Sequence, residues 1–242
     1  MSEALVRFRA VNKSFGRAEV LRGIDLDLQR GACVGLTGVN GAGKTTLLKC
    51  MLDFCTPDSG SIEVQGIEHR RPRARACLAF LPERFTAPYF LTGREFMTMM
   101  LRLFGRRYEE ERVRAMSAAL DLDVASLEKP VREYSKGMTQ KLGLAACLLS
   151  ERDLSVLDEP MSGLDPLARA RAKELLLKLK VEGRTVLLTS HSLADVEEVC
   201  DQVTVLHNGT LAYAGTPGGL CERYEESSLE RAFLKCIGSH VQ

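Results

Sequence analysis

The sequence predicts an α/β protein with an antiparallel β region near the amino terminus and a helical insert in the middle of the chain. Early segments alternate apolar and polar residues with a period of two, as half-buried strands do. A short apolar run at 32–36 precedes a glycine-rich loop and a helical pattern. After residue 150, short apolar strands alternate with helical segments. This last pattern is typical of a parallel sheet with crossover helices.

The elements of the first third of the chain are strands, apart from one helix. Period-two alternation predicts strands around residues 26–28 and 62–64, and glycine-containing turns separate them. The nearly continuous apolar run at 32–36 predicts a fully buried parallel strand. Helical spacing follows at 45–54. The order is therefore a strand, a glycine loop and a helix.

Helix signals replace strand signals from about residue 84 to residue 150. Thr92 and Glu95 fit a capping box, which satisfies unpaired amides at a helix start. The helix that they open should end near Phe104, before a glycine. Two further helices are predicted at 109–120 and 138–149.

The last third of the chain returns to short apolar strands. Strands are predicted at 154–157, 185–189 and 203–206, and helices at 166–181 and 193–199. Asn208 and Gly209 predict a two-residue hairpin turn. A final amphipathic helix is predicted over residues 228–237.

Composition narrows the possible functions. The formal net charge is +1, so the sequence lacks the basic footprint of most nucleic-acid-binding proteins, and no nucleic acid partner is expected. The longest apolar run, at 142–149, is far shorter than the ~20 residues that cross a bilayer. The eight cysteines form no CxxC pair, so we expect reduced, mostly buried thiols in a cytoplasmic protein.

A glycine-rich loop carries the clearest chemical signal. Its sequence, GVNGAGKT at 38–45, matches the phosphate-loop pattern and lies between a predicted strand and a predicted helix. Glycines let successive amides point at phosphate oxygens, and the helix N-terminus adds a positive field. Lys44 would neutralise the β and γ phosphates, and the Thr45 hydroxyl would ligate Mg2+. The predicted ATP contacts of this loop are Gly38, Val39, Asn40, Gly41, Ala42, Gly43, Lys44, Thr45 and Thr46.

Two adjacent carboxylates follow the predicted strand at 154–157. Side chains alternate along a strand, so Asp158 and Glu159 should point in different directions. Asp158 would hold Mg2+, and Glu159 would accept a proton from an attacking water. By itself this pair is weak evidence, because acidic residues also begin ordinary loops.

Three further segments complete a specific set of motifs, namely YSKGMTQ at 134–140, SGLD at 162–165 and SH at 190–191. Together with the phosphate loop and the acidic pair, their order and spacing resemble the ATPase subunit of ATP-binding cassette transporters over nearly the whole chain. In that family they are the signature segment, the D-loop and the switch histidine. The resemblance implies a RecA-like P-loop NTPase core that takes ATP and Mg2+.

The resemblance also implies a head-to-tail dimer that encloses two ATP molecules between the phosphate loop of one subunit and the signature segment of the other. Ser135 and Gly137 would then donate to a γ-phosphate, although Ser135 also fits a plain helix cap. His191 would contact the γ-phosphate and position water beside Glu159. Phe15 stands where the family stacks an aromatic ring on adenine, and a buried core phenylalanine is the alternative.

Several positions leave alternatives open. Glu83 stands where most members of the family carry Gln; its carboxylate can ligate Mg2+ but adds negative charge beside the triphosphate. Lys136 stands where glycine is commoner and places a cation at a helix N-terminus, where either a γ-phosphate or solvent would accommodate it. Asp165 would lie at the dimer seam, and Asp before Pro166 is also an ordinary helix start.

The resemblance is to exporter-type ATPases that act with a separately encoded polytopic membrane permease, and it implies a place on the inner face of the cell membrane. The permease's cytoplasmic helix would lie against the region after Glu83, where Phe85, Tyr89 and Phe90 are either groove or core residues. A non-transport cassette ATPase acting on ribosomes or DNA is the alternative. Such relatives usually carry two cassettes or a long coiled-coil insert, and this sequence shows neither.

The sequence therefore predicts one nucleotide-binding domain over residues 1–220, with a helical subdomain at about 84–150, followed by a short helical tail over 221–242. Its predicted function is ATP hydrolysis that powers substrate movement, in the export direction, through the permease.

Overall fold

Two β-sheets underlie the fold in a computed structural model, which describes residues 4–239. The strands are β1 Ala4–Phe15, β2 Ala18–Gln29, β3 Cys33–Thr37, β4 Ser59–Val64, β5 Ile67–Glu68, β6 Leu78–Leu81, β7 Leu154–Asp158, β8 Thr185–Thr189, β9 Gln202–His207 and β10 Thr210–Gly215. The α-helices are α1 Lys44–Met51, α2 Pro72–Arg75, α3 Gly93–Leu103, α4 Glu110–Ala119, α5 Lys136–Leu149, α6 Pro166–Val181, α7 Leu193–Val199, α8 Pro217–Tyr224 and α9 Leu229–Gly238. Short 3-10 helices cover Val124–Glu128 and Val131–Glu133. The predicted α/β class is confirmed.

The first sheet is antiparallel, with the strand order β2-β1-β4-β5. Phe8 of β1 pairs with Leu26 on one side and with Ile62 on the other, and all three side chains are buried. The period-two alternation placed these apolar side chains on one face. The predicted amino-terminal antiparallel region is therefore present.

The second sheet has the order β10-β9-β3-β8-β7-β6, and its strands run parallel except β10. Every residue of β3, β7 and β8 is buried. Strands covered on both faces need continuous apolar runs, which is what the sequence shows. The hairpin predicted at Asn208 and Gly209 joins β9 to β10, and both residues have positive φ, as a type I′ turn requires.

Helices α1, α3 and α5 are all predicted, but the predicted end of α1 and the predicted start of α5 differ from those in the structure by a few residues. The capping box at Thr92 opens α3 as predicted. Helix α5 begins at Lys136, two residues before the predicted start, because Ser135 is its N-cap. Helix α1 ends at Met51 rather than at residue 54, because Asp53 takes a positive φ and turns the chain back.

The carboxyl-terminal helices belong to the same hydrophobic core as the insert and the second sheet. Leu220 of α8 and Leu229 and Cys236 of α9 are fully buried in it. Helix α8 runs across position 220, where the sequence analysis places a domain boundary. Within residues 4–239, no helix combines the length and the apolar character needed to span a membrane. All eight cysteines are reduced thiols outside any disulfide, and five are buried, as predicted.

Candidate functional site

The functional motifs meet at the carboxyl edge of the second sheet. Strand β3 runs into the phosphate loop, β7 ends at Asp158, and β8 ends at Thr189 just before His191. These three strands are neighbours in the parallel part of the sheet. In an open α/β sheet, this edge is where ligands bind.

The phosphate loop depends on glycine at two positions. Gly38 has φ +152, and a Cβ there would overlap the Leu206 carbonyl oxygen of β9. Gly43, the N-cap of α1, has φ +108, which side-chain-bearing residues rarely adopt. The buried Lys44 Nζ donates to the carbonyl oxygens of Gly38 at 2.6 Å and Val39 at 3.2 Å. The lysine is therefore held inside its own loop.

A cleft of about 550 Å³ lies in front of this loop. It is lined by Val20, Asn40, Gly41, Ala42, Gly43, Lys44, Thr45, Thr46, Glu83, Asp158, Glu159 and His191. The structure therefore brings most of the predicted ATP, metal and catalytic residues together. Five predicted contacts lie outside the lining, namely Phe15, Gly38, Val39, Ser135 and Gly137.

Thr189 organises the acidic pair. Its Oγ1 donates to Asp158 Oδ1 at 2.6 Å and accepts from the Glu159 amide at 2.9 Å. Glu159 takes φ +50, so the chain turns sharply between the two carboxylates. Sequence reasoning missed Thr189. Its place at the end of an apolar strand, beside the predicted Ser190–His191 pair, is the signal that could have identified it.

Glu159 and His191 form a second contact across this edge. The Glu159 Oε1 and His191 Nε2 atoms are 3.2 Å apart, and the His191 amide lies 3.4 Å from Oε2. Oε1 is buried and makes no well-aligned hydrogen bond. Burial raises the pKa of Glu159, although the nearby His191 opposes the shift. The arrangement suits a carboxylate that has a free acceptor atom and a raised basicity.

The charges of the cleft are partly desolvated. Burial lowers the pKa of Lys44, against the opposing charges of Glu159, Asp158 and Glu83. Burial also raises the pKa of Asp158. A hydroxyl and two carboxylates, from Thr45, Asp158 and Glu83, line the same cleft. Such hard oxygen donors fit Mg2+, which is bound in proteins by few carboxylates together with substrate phosphates.

Phe15 lies at the carboxyl end of β1 and is 53% exposed. The alternative of a buried core phenylalanine is therefore wrong. The Lys13 Nζ lies 5.3 Å from the centroid of its ring. An exposed ring leaves a face available for stacking, but its contact with adenine stays a prediction.

The signature segment lies beside a second cavity. Ser135 caps α5 by accepting from the Met138 amide at 3.2 Å, and a Cβ at Gly137 would lie only 3.0 Å from the Gly163 carbonyl oxygen. The signature and D-loop therefore pack closely. The cavity, a groove of about 570 Å³, is lined by Glu83, Arg84, Phe85, Thr86, Ala87, Tyr89, Val131, Tyr134, Lys136, Thr139, Gln140 and Ser162.

The three aromatic residues after Glu83 do not share one environment. Phe85 packs against the core, with its ring centroid 5.7 Å from that of Phe96. Tyr89 and Phe90 are 69% and 68% exposed and contact each other edge to face. The core interpretation therefore holds for Phe85, which also lines the groove, and not for the other two. Tyr89 lines the groove.

A buried lysine, also missed from the sequence, joins the insert to the D-loop. Lys141 Nζ in α5 donates to the Asp121 backbone carbonyl at 2.8 Å and lies 3.4 Å from a carboxylate oxygen of Asp165. Asp165 also caps α6 by accepting from the Ala168 amide at 2.9 Å. Asp165 is thus a helix start, as one of the two interpretations predicted. Its place at a dimer seam stays a prediction.

Comparison with known proteins assigns the family. A family model described as ABC transporter matches residues 21–162. The chain belongs to the ABC transporter family. It carries the ATP-binding domain of that family on a P-loop NTPase fold, as the motifs had indicated.

Two relatives illustrate the match. An uncharacterized ABC transporter ATP-binding protein of Synechocystis is 39% identical over 205 residues, which cover 83% of this chain and 57% of that protein. The Nod factor export ATP-binding protein I of Burkholderia orbicola is 38% identical over 92% of this chain and 74% of its own length. The chain spans 57% of the length of the Synechocystis protein and 59% of that of a similar protein from Nostoc, less than two thirds of either.

Solved structures agree on the fold. The structure of an ATP-binding subunit of an ABC transporter superposes with a TM-score of 0.85 at 28% identity, covering 96% of this chain and 99% of that one. A dimeric ATP-binding cassette in a post-hydrolysis state with ADP and Pi gives a TM-score of 0.78 at 21% identity, over 87% of this chain and 98% of that one. The second match supports the fold alone.

Proposed function

We propose that this chain binds and hydrolyses ATP and thereby powers a membrane permease. The observation that carries the proposal is the meeting of the phosphate loop, the buried Lys44 and the Asp158–Glu159 pair in one cleft at the carboxyl edge of the sheet. Loop amides and the Lys44 ammonium would hold the triphosphate. The positive end of α1, which begins at Lys44, adds to the attraction.

Each residue of the cleft would have its own role when water attacks the γ-phosphate in line. Glu159 Oε1, buried and without a well-aligned donor, would accept the proton of the attacking water. His191, in contact with the same atom, would orient that water and the γ-phosphate. Thr45, Asp158 and Glu83 would hold Mg2+. When bound, this ion would neutralise developing charge on the phosphate oxygens. Lys44 would do the same from the loop side.

We further propose that the site is completed by a second ATPase subunit, arranged head to tail. Ser135 and Gly137 lie outside the cleft of their own chain. They stand at the N-terminus of α5, where a hydroxyl and free amides favour a phosphate. A partner chain in the opposite orientation would present these donors to the γ-phosphate. A cassette of the same fold, bound to ADP and Pi, is described as dimeric.

The groove beside the insert is our candidate for the contact with the polytopic permease. Its exposed Tyr89 offers an apolar ring with a polar tip, which suits an interface residue. Docking there would place the protein at the inner face of the cell membrane. The relatives named as export ATP-binding proteins favour export as the direction. A ribosome- or DNA-acting ATPase is not favoured.

The variant Glu159→Gln tests the assignment of the base. It should bind ATP but lose about 10²- to 10⁴-fold in hydrolysis, which is the usual contribution of general acid–base catalysis. In the wild type, hydrolysis should fall on acidification at a pH above the ordinary Glu range of about 4.3, because burial raises the pKa of Glu159. Phosphate release measured across pH checks both points. Unchanged turnover in the variant would exclude Glu159 as the base.

Transport is tested separately. The full chain, purified from detergent-solubilised membranes, should bring with it a polytopic membrane protein encoded in a neighbouring reading frame. Recovery of ribosomes or DNA instead of that protein would support the alternative function. If the purified chain hydrolyses ATP but no membrane protein is recovered with it, the proposed ATPase activity stands and the proposed permease partner is wrong.

A further inference from the structure

Two pairs of free thiols approach each other in this molecule. The sulfur atoms of Cys50 and Cys55 are 3.4 Å apart, at the carboxyl end of α1. Those of Cys33 and Cys200 are 3.7 Å apart between β3 and the end of α7. The two pairs differ in access, because Cys55 is partly exposed whereas Cys33 and Cys200 are both buried. Of these two pairs, only Cys50–Cys55 has a thiol that a dissolved molecule can reach.

The backbone holds the first pair together. The positive φ of Asp53 turns the chain, and the amides of Phe54 and Cys55 both donate to the Lys49 carbonyl oxygen, at 2.8 and 3.3 Å. Cys55 is therefore folded back onto the last turn of α1. A disulfide bond is about 2.05 Å long, so the two sulfur atoms need only a short approach to bond.

The two thiols are not equivalent. Burial, followed by the contact with Cys55, raises the pKa of Cys50 to about 12. The charge of Lys13 opposes that rise. Cys50 is thus a poor first nucleophile at neutral pH, whereas Cys55 has the solvent access that a peroxide requires.

We propose that Cys50 and Cys55 form a reversible disulfide when the protein meets a hydroperoxide, with Cys55 as the attacking thiol and Cys50 as the resolving thiol. Disulfides of this kind in intracellular proteins are usually transient and redox-sensing.

The chemistry balances in two steps. The Cys55 thiolate attacks the peroxide, the O–O bond breaks, and Cys55 becomes a sulfenic acid; the alkoxide or hydroxide that leaves takes up the proton that the Cys55 thiol had released and forms the alcohol or water. The Cys50 sulfur then attacks the Cys55 sulfur, and the displaced hydroxide takes the Cys50 proton to form water. Two thiols lose two electrons, the peroxide gains two, and a dithiol reductant reverses the change.

The position of the pair gives the bond a consequence at the nucleotide site, which rests on the proposed ATP function. Three residues beyond Cys55, the Asp58 carboxylate accepts from Lys13 Nζ at 2.7 Å and from the Ser14 amide at 2.6 Å. These residues flank Phe15, and Lys13 lies over its ring. Drawing Cys55 toward α1 would therefore pull on the strand end that carries the proposed adenine contact.

The full chain should be treated with hydrogen peroxide, alkylated, digested and analysed by mass spectrometry, with and without dithiothreitol. We expect a 50–55 linked peptide that has lost two hydrogens and that disappears after reduction. The Cys55→Ser variant should lack it. The Cys33→Ala variant, a control in the buried pair, should retain it. Absence of the linked peptide in wild type, or a 33–200 link formed in its place, would overturn the proposal.

ATP binding of the oxidised and reduced forms should then be compared by titration. We expect weaker binding after oxidation, recovery with dithiothreitol, and no response in Cys55→Ser. Unchanged affinity in a protein whose disulfide has formed would overturn the effect on the nucleotide site. If the reduced protein fails to bind ATP, the proposed function fails, whatever the thiols do.

Discussion

The phosphate-loop cleft and the groove beside the insert have nearly equal volumes, about 550 and 570 Å³, but different residues line them. The cleft is lined by loop backbone and by charged side chains such as Lys44, which loop carbonyl oxygens hold, and Asp158, which ends β7. The groove is lined by two tyrosines and a phenylalanine together with charged and polar side chains, among them Arg84 and Lys136. Glu83 lines both cavities.

The different lining residues show how one chain can offer separate sites to two classes of ligand. In the cleft, the oriented loop amides and the Lys44 ammonium favour an anion, and the carboxylates beside them favour a cation bound together with it. The exposed aromatic ring of Tyr89 favours a segment of another protein, because it supplies contact area with a polar tip. Variants that change only one of the two cavities therefore test whether nucleotide binding and partner binding are separate.

Among the variants that compare the two cavities, the largest effect is expected for Lys44→Ala. This change removes the ammonium from the cleft, where hydrogen bonds to charged groups contribute about 1.5 to 3 kcal/mol each. The dissociation constant for ATP should rise roughly 10- to 100-fold, as titration calorimetry would measure. Recovery of the membrane partner in the absence of nucleotide should not change. A parallel loss of both activities would mean that the cavities are not separable.

Gly143→Ala should affect the wall of the groove. A Cβ at this position of α5 would lie 2.7 Å from the Phe85 ring and 2.8 Å from a methyl carbon of Leu81. Overpacking of this kind typically costs about 1 to 3 kcal/mol. Urea unfolding would measure the loss.

Gly218→Ala is the matched control, because a Cβ built there in α8 would have no atom within 4 Å apart from its chain neighbours and the backbone of its own helix. Alanine is the better helix former by roughly 1 kcal/mol, so this variant should be as stable as the wild type or slightly more stable. Equal losses in the two glycine variants would contradict the role given to Phe85.

Ser135→Ala separates the cap of α5 from its proposed contact with a partner's nucleotide. Loss of an N-cap hydroxyl costs about 1 kcal/mol of stability. Ser228→Ala removes the equivalent cap of α9, where Ser228 accepts from the Arg231 amide. Both variants should lose similar stability in thermal unfolding, but only Ser135→Ala should also lower ATP hydrolysis. Equal hydrolysis in the two variants would reduce Ser135 to a plain helix cap.

The smallest effect on stability is expected for Tyr89→Ser. An exposed side chain outside the core changes the free energy of unfolding by less than about 0.5 kcal/mol. Co-purification of the membrane partner should nevertheless fall, because the substitution removes an aromatic ring from the groove. Normal recovery of the partner would place the permease contact elsewhere.

The sequence predicts local features of this molecule better than contacts between distant segments. The phosphate loop, the capping box at Thr92 and the Asn208–Gly209 turn were all predictable, because a few consecutive residues fix their geometry. Thr189 and Lys141 were missed, because their roles arise from contacts with residues 20 to 31 positions away. The environment of Phe15 was undecided for the same reason. An aromatic residue at a strand end does not itself indicate which neighbours will cover it.

The position of Glu83 on the wall of both cavities has a thermodynamic consequence. If a segment bound in the groove moves this carboxylate, it changes the charge that faces the triphosphate, and so the affinity for ATP. Linkage then requires that ATP change the affinity for that segment by the same factor. A glutamate in place of an uncharged amide makes this coupling sensitive to electric charge as well as to shape. The ratio of ATP affinities with and without the bound segment would therefore equal the ratio of segment affinities with and without ATP, so measuring one of them gives the size of the coupling.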